Sequence, residues 1–300
     1  MEWIKAGQLF EVNGTNPAII SHASNPLPVW LHDNVYRIFF SARNSENRSS
    51  VSFADIDILS KEIINNPDEV AFSCGNLESF YSHGVSIGNL YTQHNNRYIL
   101  FMGWQQKPGE HWRGDVGRLR LTDTLKLELD PAAAFMKTDE EDKVSLSYPW
   151  VMFHNGIYKM WYGSTLDWTS ANGEMIHVIK YATSVDGVRW EKHGIAIPYE
   201  LGVAQAFSKP SVLINEAGYH MWYSYRSGDG TAYRIGYAHS SDGIQWQRLH
   251  NKVGIDVSAS GWDSEMLCYP FVFEHKKDIF MLYNGNNYGR NGFGIAKLKQ

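Results

Sequence analysis

The chain of 300 residues is poor in cysteine and in net charge, and it contains no long apolar run. Two cysteines, Cys74 and Cys268, form no C-x-x-C pair, so we expect two ordinary thiols rather than a disulfide framework or a zinc knuckle. Lys and Arg number 27 against 32 Asp and Glu, and this balance does not favour nucleic acid or an anionic membrane as a partner. No stretch approaches about eighteen consecutive apolar residues, so no membrane insertion is expected.

The first ten residues, MEWIKAGQLF, lack the basic and then apolar profile of an export signal, so a cytoplasmic location is expected. The 43% hydrophobic content excludes intrinsic disorder. What the chain does have is 26 Gly together with 17 Tyr, 14 Phe and 11 Trp. Aromatic residues favour strands and glycines favour turns, so the composition predicts an all-β protein.

A repeat organises the sequence. The segment YPWVMFHNGIYKMWYGS at 148–164 recurs as KPSVLINEAGYHMWYSY at 209–225 and as YPFVFEHKKDIFMLYNG at 269–285. Weaker copies lie at 25–43 and 87–104, which makes five. Each copy reads as a strand, a polar turn and a second strand with alternating side chains.

Two of the copies continue into a third and a fourth strand, joined by the dipeptides Asp186-Gly187 and Asp242-Gly243. Asp-Gly tolerates the positive φ of a tight hairpin turn, so we interpret both dipeptides as structural. Four strands in each of five units predict a five-bladed β-propeller that occupies residues 1–300 as a single domain.

The last unit ends after its third strand, GFGIAKLKQ. The N-terminal segment Trp3–Gly7 mirrors the fourth strand that begins at Trp190. We therefore expect the N-terminal strand to complete the last blade and close the ring, so that truncation at either end would expose a strand edge.

Aromatic residues that recur in every unit are expected to pack between blades, because a ligand site has no reason to be fivefold. This interpretation covers Trp161, Tyr162, Trp222 and Tyr223. Function is more to be expected where a unit departs from the repeat.

The start of each first strand and the end of each second strand should gather at one mouth of the ring, because antiparallel pairing places them together. Bases, amides, aromatics and one carboxylate in such a place suit a polyhydroxylated ligand. The predicted mouth residues are His22, Asn25, His83, Tyr148, Lys209, Glu265 and Tyr269 from strand starts, and Arg43, Trp104, Thr165, Tyr225, Arg226, Asn284 and Asn286 from strand ends.

Glu265 is the main catalytic candidate among the mouth residues, and it departs from the repeat because the fourth unit has Gln205 at that place. A carboxylate at a closed mouth can act as a general acid or base. The alternative is a structural charge pair with Lys209 or Arg226. Asp263 either acts beside Glu265 or caps its own loop. His22 and His83 are candidates for proton donors or anion contacts, and without a third equivalent histidine no metal or other cofactor is expected.

The repeats and the segment Gly261–Met266, GWDSEM, before Tyr269-Pro270 resemble the five-bladed propeller glycosidases of the arabinanase and β-fructosidase clan and the mannoside phosphorylases that share their fold. More closely, the chain resembles glycosidase-like proteins associated with surface-glycan synthesis. The resemblance implies a carbohydrate or oligosaccharide substrate. The hydrolases of this clan have three acids, and at the same places this chain has Asn25, the 83–86 region and Tyr148. The usual three acids are therefore absent from these places.

Phosphorylases of this fold use one acid and hold phosphate with cations, and Arg43, Lys209, Arg226, His22 and His83 would supply the charge here. The sequence thus predicts a glycoside hydrolase-like enzyme acting on a glycosidic bond of an anionic or phosphorylated sugar. Phosphorolysis, glycosyl transfer and glycan binding without chemistry are the alternatives, and a scaffold for protein partners is a further one.

Overall fold

The computed structural model of the protein describes residues 1–299 and consists almost entirely of β-strands. These residues also contain a 3-10 turn at His250–Lys252 and a short helix, α1, at Asn286–Gly289. The predicted all-β class is confirmed. Within the described residues, no helix has both the length and the apolar character needed to cross a membrane.

The strands form successive antiparallel groups of four, and the N-terminal strand β1 (Trp3–Phe10) belongs to the last group. Single parallel pairs join the first group to the second, at Ser49 and Gly84, and the third to the fourth, at His177 and Ala206. The first group contains β2 (Ser21–His32), β3 (Val35–Arg43), β4 (Ser49–Asp57) and β5 (Ile63–Asn65). The second contains β6 (Gly84–Gln93), β7 (Asn96–Gln105), β8 (Arg113–Leu121) and β9 (Leu127–Leu129). The third contains β10 (Ser145–His154), β11 (Ile157–Asp167), β12 (Ile176–Ser184) and β13 (Glu191–Ile195). The fourth contains β14 (Ala206–Asn215), β15 (Gly218–Arg226), β16 (Arg234–Ser240) and β17 (Gln247–Arg248), and the last contains β18 (Cys268–His275), β19 (Asp278–Asn284), β20 (Phe293–Leu298) and β1.

Strand β1 pairs with β20 in antiparallel register, with Trp3 opposite Leu298 and Phe10 opposite Phe293. Trp3 is buried and meets Trp222 of the preceding group edge to face at 5.8 Å. The two ends of the chain are therefore joined in one sheet.

The second strands are buried on both faces because each is covered by the neighbouring groups. Trp161 and Tyr162 of β11, and Trp222 and Tyr223 of β15, are at most 2% exposed. The prediction that these recurrent aromatics form the core is confirmed.

The first strand of most groups contains a bulge, at which one side chain departs from the regular alternation between the two faces of the sheet. In β10 the register shifts between Ser147 and Trp150, and the extra residue Tyr148 has a φ of 33° before Pro149. Proline cannot donate to the ladder, so it fits a bulge. The same bulge occurs at Asn25-Pro26, Lys209-Pro210 and Tyr269-Pro270, with φ values of 57°, 53° and 53°.

Side chains at and beside these bulges fill the space between the first strands of the groups. Lys209 of β14 is 1% exposed, and its Nζ donates to the carbonyls of Ile87 and Gly88 in β6 at 2.6 and 2.8 Å. Trp150 of β10 contacts Phe271 of β18 with ring centroids 5.0 Å apart. Side chains from three groups and backbone carbonyls from a fourth thus form a solid centre.

Candidate functional site

A cavity of about 270 Å³ lies where the first strands begin. Its lining is rich in aromatic and neutral polar side chains. It contains one arginine and one histidine, and no Asp or Glu of the described residues takes part in it. The lining residues are Arg43, Asn47, Ser86, Met102, Trp104, Gln106, Trp112, Ser147, Tyr148, Met175, His177, Ser208, Tyr233, Tyr269 and Tyr288.

Two tyrosines at bulges form one wall. The rings of Tyr148 and Tyr269 lie 5.3 Å apart, and the Tyr148 hydroxyl donates to the Tyr269 hydroxyl at 3.4 Å. Burial raises the pKa of both phenols, which therefore stay protonated at neutral pH and remain hydrogen-bond donors. Tyr288 of α1, with a φ of 59°, packs near Tyr269 and Tyr233. Non-glycine residues at positive φ carry strain, and such strain clusters at functional sites.

Arg43 is the cation of the cavity. It ends β3, and its Nη1 donates to Asn47 Oδ1 at 2.7 Å. Among residues 1–299 no carboxylate lies within ion-pair distance of its guanidinium. Burial raises the pKa of Tyr148 and of Tyr288, and the positive charge of Arg43 lowers it in part. Both phenols are therefore close enough to Arg43 to interact with its charge. An arginine without an acidic partner in an acid-free lining favours an anion.

His177 is held on both ring nitrogens. Ser147 Oγ lies 2.6 Å from Nε2, and Thr165 Oγ1 lies 2.7 Å from Nδ1. Burial lowers the pKa of His177 to about 4, so the ring is neutral at pH 7. Gly163 makes room for this arrangement, because a Cβ there would stand 2.1 Å from Ser147 Oγ and 2.5 Å from Nε2.

Aromatic rings continue from the lining to the edge of the cavity. Trp112 lies 6.3 Å from His177 on one side and meets Trp168 at 4.7 Å with an interplanar angle of 74° on the other. The exposed imidazole of His111 stacks on Trp168 at 4.8 Å and 14°.

Four of the predicted site residues line the cavity: Arg43, Trp104, Tyr148 and Tyr269. Trp104 also donates from its indole nitrogen to Ser49 Oγ at 3.2 Å, which fixes its ring. The structure therefore brings together the arginine and the aromatic part of the predicted set.

The two predicted catalytic carboxylates lie outside the lining. Asp263 is buried in an ion pair with Lys5 of β1 at 2.7 Å and accepts a hydrogen bond from the Tyr283 hydroxyl at 3.2 Å. Glu265 is exposed, and its backbone, rather than its carboxylate, bonds to Asn286 and Arg234. The structure does not bring these two carboxylates together in the cavity.

Four other predicted residues, His22, His83, Tyr225 and Arg226, lie outside the lining and have partners of their own. The Nδ1 of His83 lies 3.0 Å from Ser82 Oγ, and Tyr225 stacks on His250 at 4.0 Å. Arg226 pairs with Glu174 at 2.5 Å. The pKa of His22 is lowered to about 4, mainly by burial and to a lesser extent by the positive charges of Arg43 and Arg290.

Two predicted amide side chains, those of Asn284 and Asn286, bond to backbone groups instead. Asn284 accepts from the Asn25 N–H at 2.9 Å and donates to the Ala23 carbonyl at 2.8 Å. Asn286 accepts from the N–H groups of Glu265 and Met266. Lys209 belongs to the solid centre described above, not to the lining.

Sequence reasoning missed Trp112, His177 and Tyr233. Trp112 and Tyr233 come directly before the third strands β8 and β16, and His177 is the second residue of β12. The start of a third strand lies beside the end of the second one, so the same antiparallel rule could have found all three.

Metal binding finds no support in the side chains. No group of three or more His, Cys, Asp or Glu residues within positions 1–299 could hold a metal ion.

Solved structures with this architecture are glycoside hydrolase-like propeller proteins. One is a glycoside hydrolase, with a TM-score of 0.77 and 13% identity over 99% of this chain and 93% of that one. Another, from the GH130 family of mannoside phosphorylases and hydrolases that target beta-1,2 mannosidic linkages in Candida mannan, gives a TM-score of 0.73 at 11% identity, with 99% and 93% covered. A sucrose-6-phosphate hydrolase from Lactobacillus gasseri gives 0.63 at 10% identity, with 95% and 62% covered. The chain has the fold of these propellers, as the resemblance predicted.

No family model matches the chain. Over its whole length it is 38% identical, across 301 aligned residues and 100% of each chain, to uncharacterized protein MT1551 of Mycobacterium tuberculosis (strain CDC 1551 / Oshkosh). The same figures hold for uncharacterized protein Rv1502 of the strain ATCC 25618 / H37Rv. The chain belongs to the family of these two proteins.

Proposed function

We propose that the groups of strands are the five blades of a closed propeller and that its central cavity is a carbohydrate site. Contacts between the first and last groups support closure: Asn284 bonds to the backbone of Asn25 and Ala23, and Tyr36 packs on Phe273 at 5.3 Å. A cytoplasmic location stays a prediction of the sequence.

The ligand we propose is an anionic or phosphorylated sugar. The observation that carries this proposal is Arg43, a guanidinium without a carboxylate partner in a lining without Asp or Glu. A carboxylate or phosphate can take both arms of a guanidinium. The phenols of Tyr148 and Tyr269 and the amides of Asn47 and Gln106 offer hydrogen bonds to hydroxyl groups, and aromatic rings cover the apolar faces of a sugar.

Cleavage of a glycosidic bond is a second candidate function, favoured by the likeness to glycoside hydrolase and phosphorylase folds. Hydrolysis needs two carboxylates about 5–10 Å apart across the bond, whereas Asp263 is paired with Lys5 and Glu265 is outside the lining. Phosphorolysis needs a bound hydrogen phosphate whose oxygen attacks the anomeric carbon, while the glycosidic oxygen leaves with the proton that the phosphate gives up. Arg43 would hold that phosphate, and phosphorolysis needs fewer carboxylates at the cavity than hydrolysis does.

Native mass spectrometry reports both the sugar complex and any product in one experiment. Wild type, Arg43→Met and Arg120→Met are incubated with matched acidic and neutral oligosaccharides, with and without inorganic phosphate. Arg120 is the control, since it is an exposed arginine paired with Glu128 away from the cavity. We expect complexes with acidic sugars for wild type and Arg120→Met, and a loss of about tenfold or more in affinity for Arg43→Met.

Equal complexes with acidic and neutral sugars, or no effect of Arg43→Met, would contradict the anion proposal. A sugar phosphate that forms only with phosphate supports phosphorolysis. Phosphate-independent release that disappears in Glu265→Gln would instead assign hydrolysis to that carboxylate. Complexes without any product would make the chain a glycan-binding propeller.

A further inference from the structure

We propose a second sugar subsite outside the cavity, formed by His111, Trp112 and Trp168, so that the ligand is an oligosaccharide rather than a free monosaccharide. This inference rests on the proposed function. The anionic residue of the glycan occupies the cavity at Arg43, and the adjoining residue lies against the three rings.

The three rings make a continuous aromatic surface that starts inside the cavity. Trp112 belongs to the lining, its ring meets Trp168 at 4.7 Å, and Trp168 is stacked with His111 at 4.8 Å. Trp112 and Trp168 are partly exposed and His111 is exposed. Sugars present flat apolar C–H faces and polar edges, which fit exposed rings of this kind.

The surface is assembled from two groups of strands. His111 and Trp112 precede β8 of the second group, while Trp168 follows β11 of the third. Trp168 takes part in no cluster of the hydrophobic core. A partly exposed indole that belongs to no core cluster, at the edge of a cavity, is typical of a binding surface rather than of packing.

The shape of the cavity determines where the rest of a glycan can go. At about 270 Å³ it lies below the roughly 300–1,000 Å³ of pockets for drug-sized ligands, so it has room for about one sugar ring. Lys209 and the Trp150 and Phe271 pair fill the centre beneath it. A chain of sugars must therefore leave through the mouth, and Trp112 leads from the lining to the edge.

The test compares acidic monosaccharides with disaccharides that carry the same acidic residue. Glucuronic acid, N-acetylneuraminic acid and glucose 6-phosphate are titrated calorimetrically, each alone and as part of a disaccharide, into wild type, Trp168→Ala and Trp30→Ala. Trp30 is the matched control, because it is a 60% exposed tryptophan that does not line the cavity. Unfolding curves check that both variants are folded.

Wild type should bind at least one disaccharide about tenfold more tightly than its acidic monosaccharide. Trp168→Ala should remove that difference and leave monosaccharide affinity within about twofold, and Trp30→Ala should change neither. A preference for disaccharides that survives Trp168→Ala, or equal affinity of wild type for both sizes, would overturn the subsite while leaving the proposed function intact. If no member of the panel binds wild type, the proposed function fails and the subsite fails with it.

Discussion

At the scale of single residues, Arg43 and Lys209 show how two cations that were both predicted at the mouth acquire different roles. Arg43 was predicted there as the end of a second strand, and Lys209 as a departure from the repeat. Arg43 ends a second strand and reaches the cavity, whereas Lys209 occupies a bulge and donates to the carbonyls of Ile87 and Gly88. The direction of a bulged side chain depends on backbone φ, which a strand pattern does not reveal.

Lys209 should make stability depend on pH. Burial lowers its pKa from 10.5 to about 7. The folded-state pKa is the lower one, so between pH 7 and 10.5 the unfolded chain binds more protons. The charged form of Lys209 therefore lowers the unfolding free energy most below pH 7, and this loss becomes smaller as the pH rises. Relative to Lys209→Met, wild type should gain roughly 2 kcal/mol of unfolding free energy between pH 7 and 9.

Urea unfolding of both proteins at pH 7, 8 and 9 measures this difference. Lys209→Met leaves two carbonyls without a donor at every pH, so its lower stability is a constant offset and only the slope counts. Parallel pH profiles of the two proteins would contradict a buried lysine that titrates near neutrality.

At the scale of elements, strands were predictable and the segments between them were not. Alternation on an extended segment predicts that Asp263 and Glu265 share a face. Residues 259–265 form bends and a turn instead of a strand, so the alternation does not apply. Asp263 turns inward to Lys5 and Glu265 stays exposed.

The ion pair between Asp263 and Lys5 ties β1 to the segment that precedes β18. Asp263 is 4% and Lys5 21% exposed in its side chain, so breaking the pair leaves a largely buried charge. We expect Asp263→Asn and Lys5→Met each to lower the unfolding free energy by about 2 kcal/mol, and the double variant to lose less than the sum. Thermal and urea unfolding measure these losses.

Glu265→Gln is the control, since that exposed carboxylate forms no hydrogen bond or ion pair in the described part of the chain, and it should change stability by no more than about 0.5 kcal/mol. Sugar binding well below the unfolding temperature should be unchanged in Asp263→Asn. If Asp263→Asn lost sugar binding and kept its stability, Asp263 would instead be a functional carboxylate of the site.

At the scale of the whole molecule, the repeat was the strongest signal, because the same pattern recurs along one chain and each copy must bury the same aromatic face. Tyr162, Tyr223 and Tyr283 are all fully buried. The cavity depends on how distant loops meet, and the contact of His111 with Trp168 joins two groups through segments without a repeat. Such a contact has no counterpart in sequence spacing.

A crystal structure of the protein soaked with an acidic monosaccharide that binds in solution tests the role of Arg43 most directly. We expect the carboxylate or phosphate of the sugar within hydrogen-bond distance of the Arg43 guanidinium, with the ring beside Tyr148 and Tyr269. An acidic sugar that occupies another surface, or that lies in the cavity with its anionic group turned away from Arg43, would contradict that role.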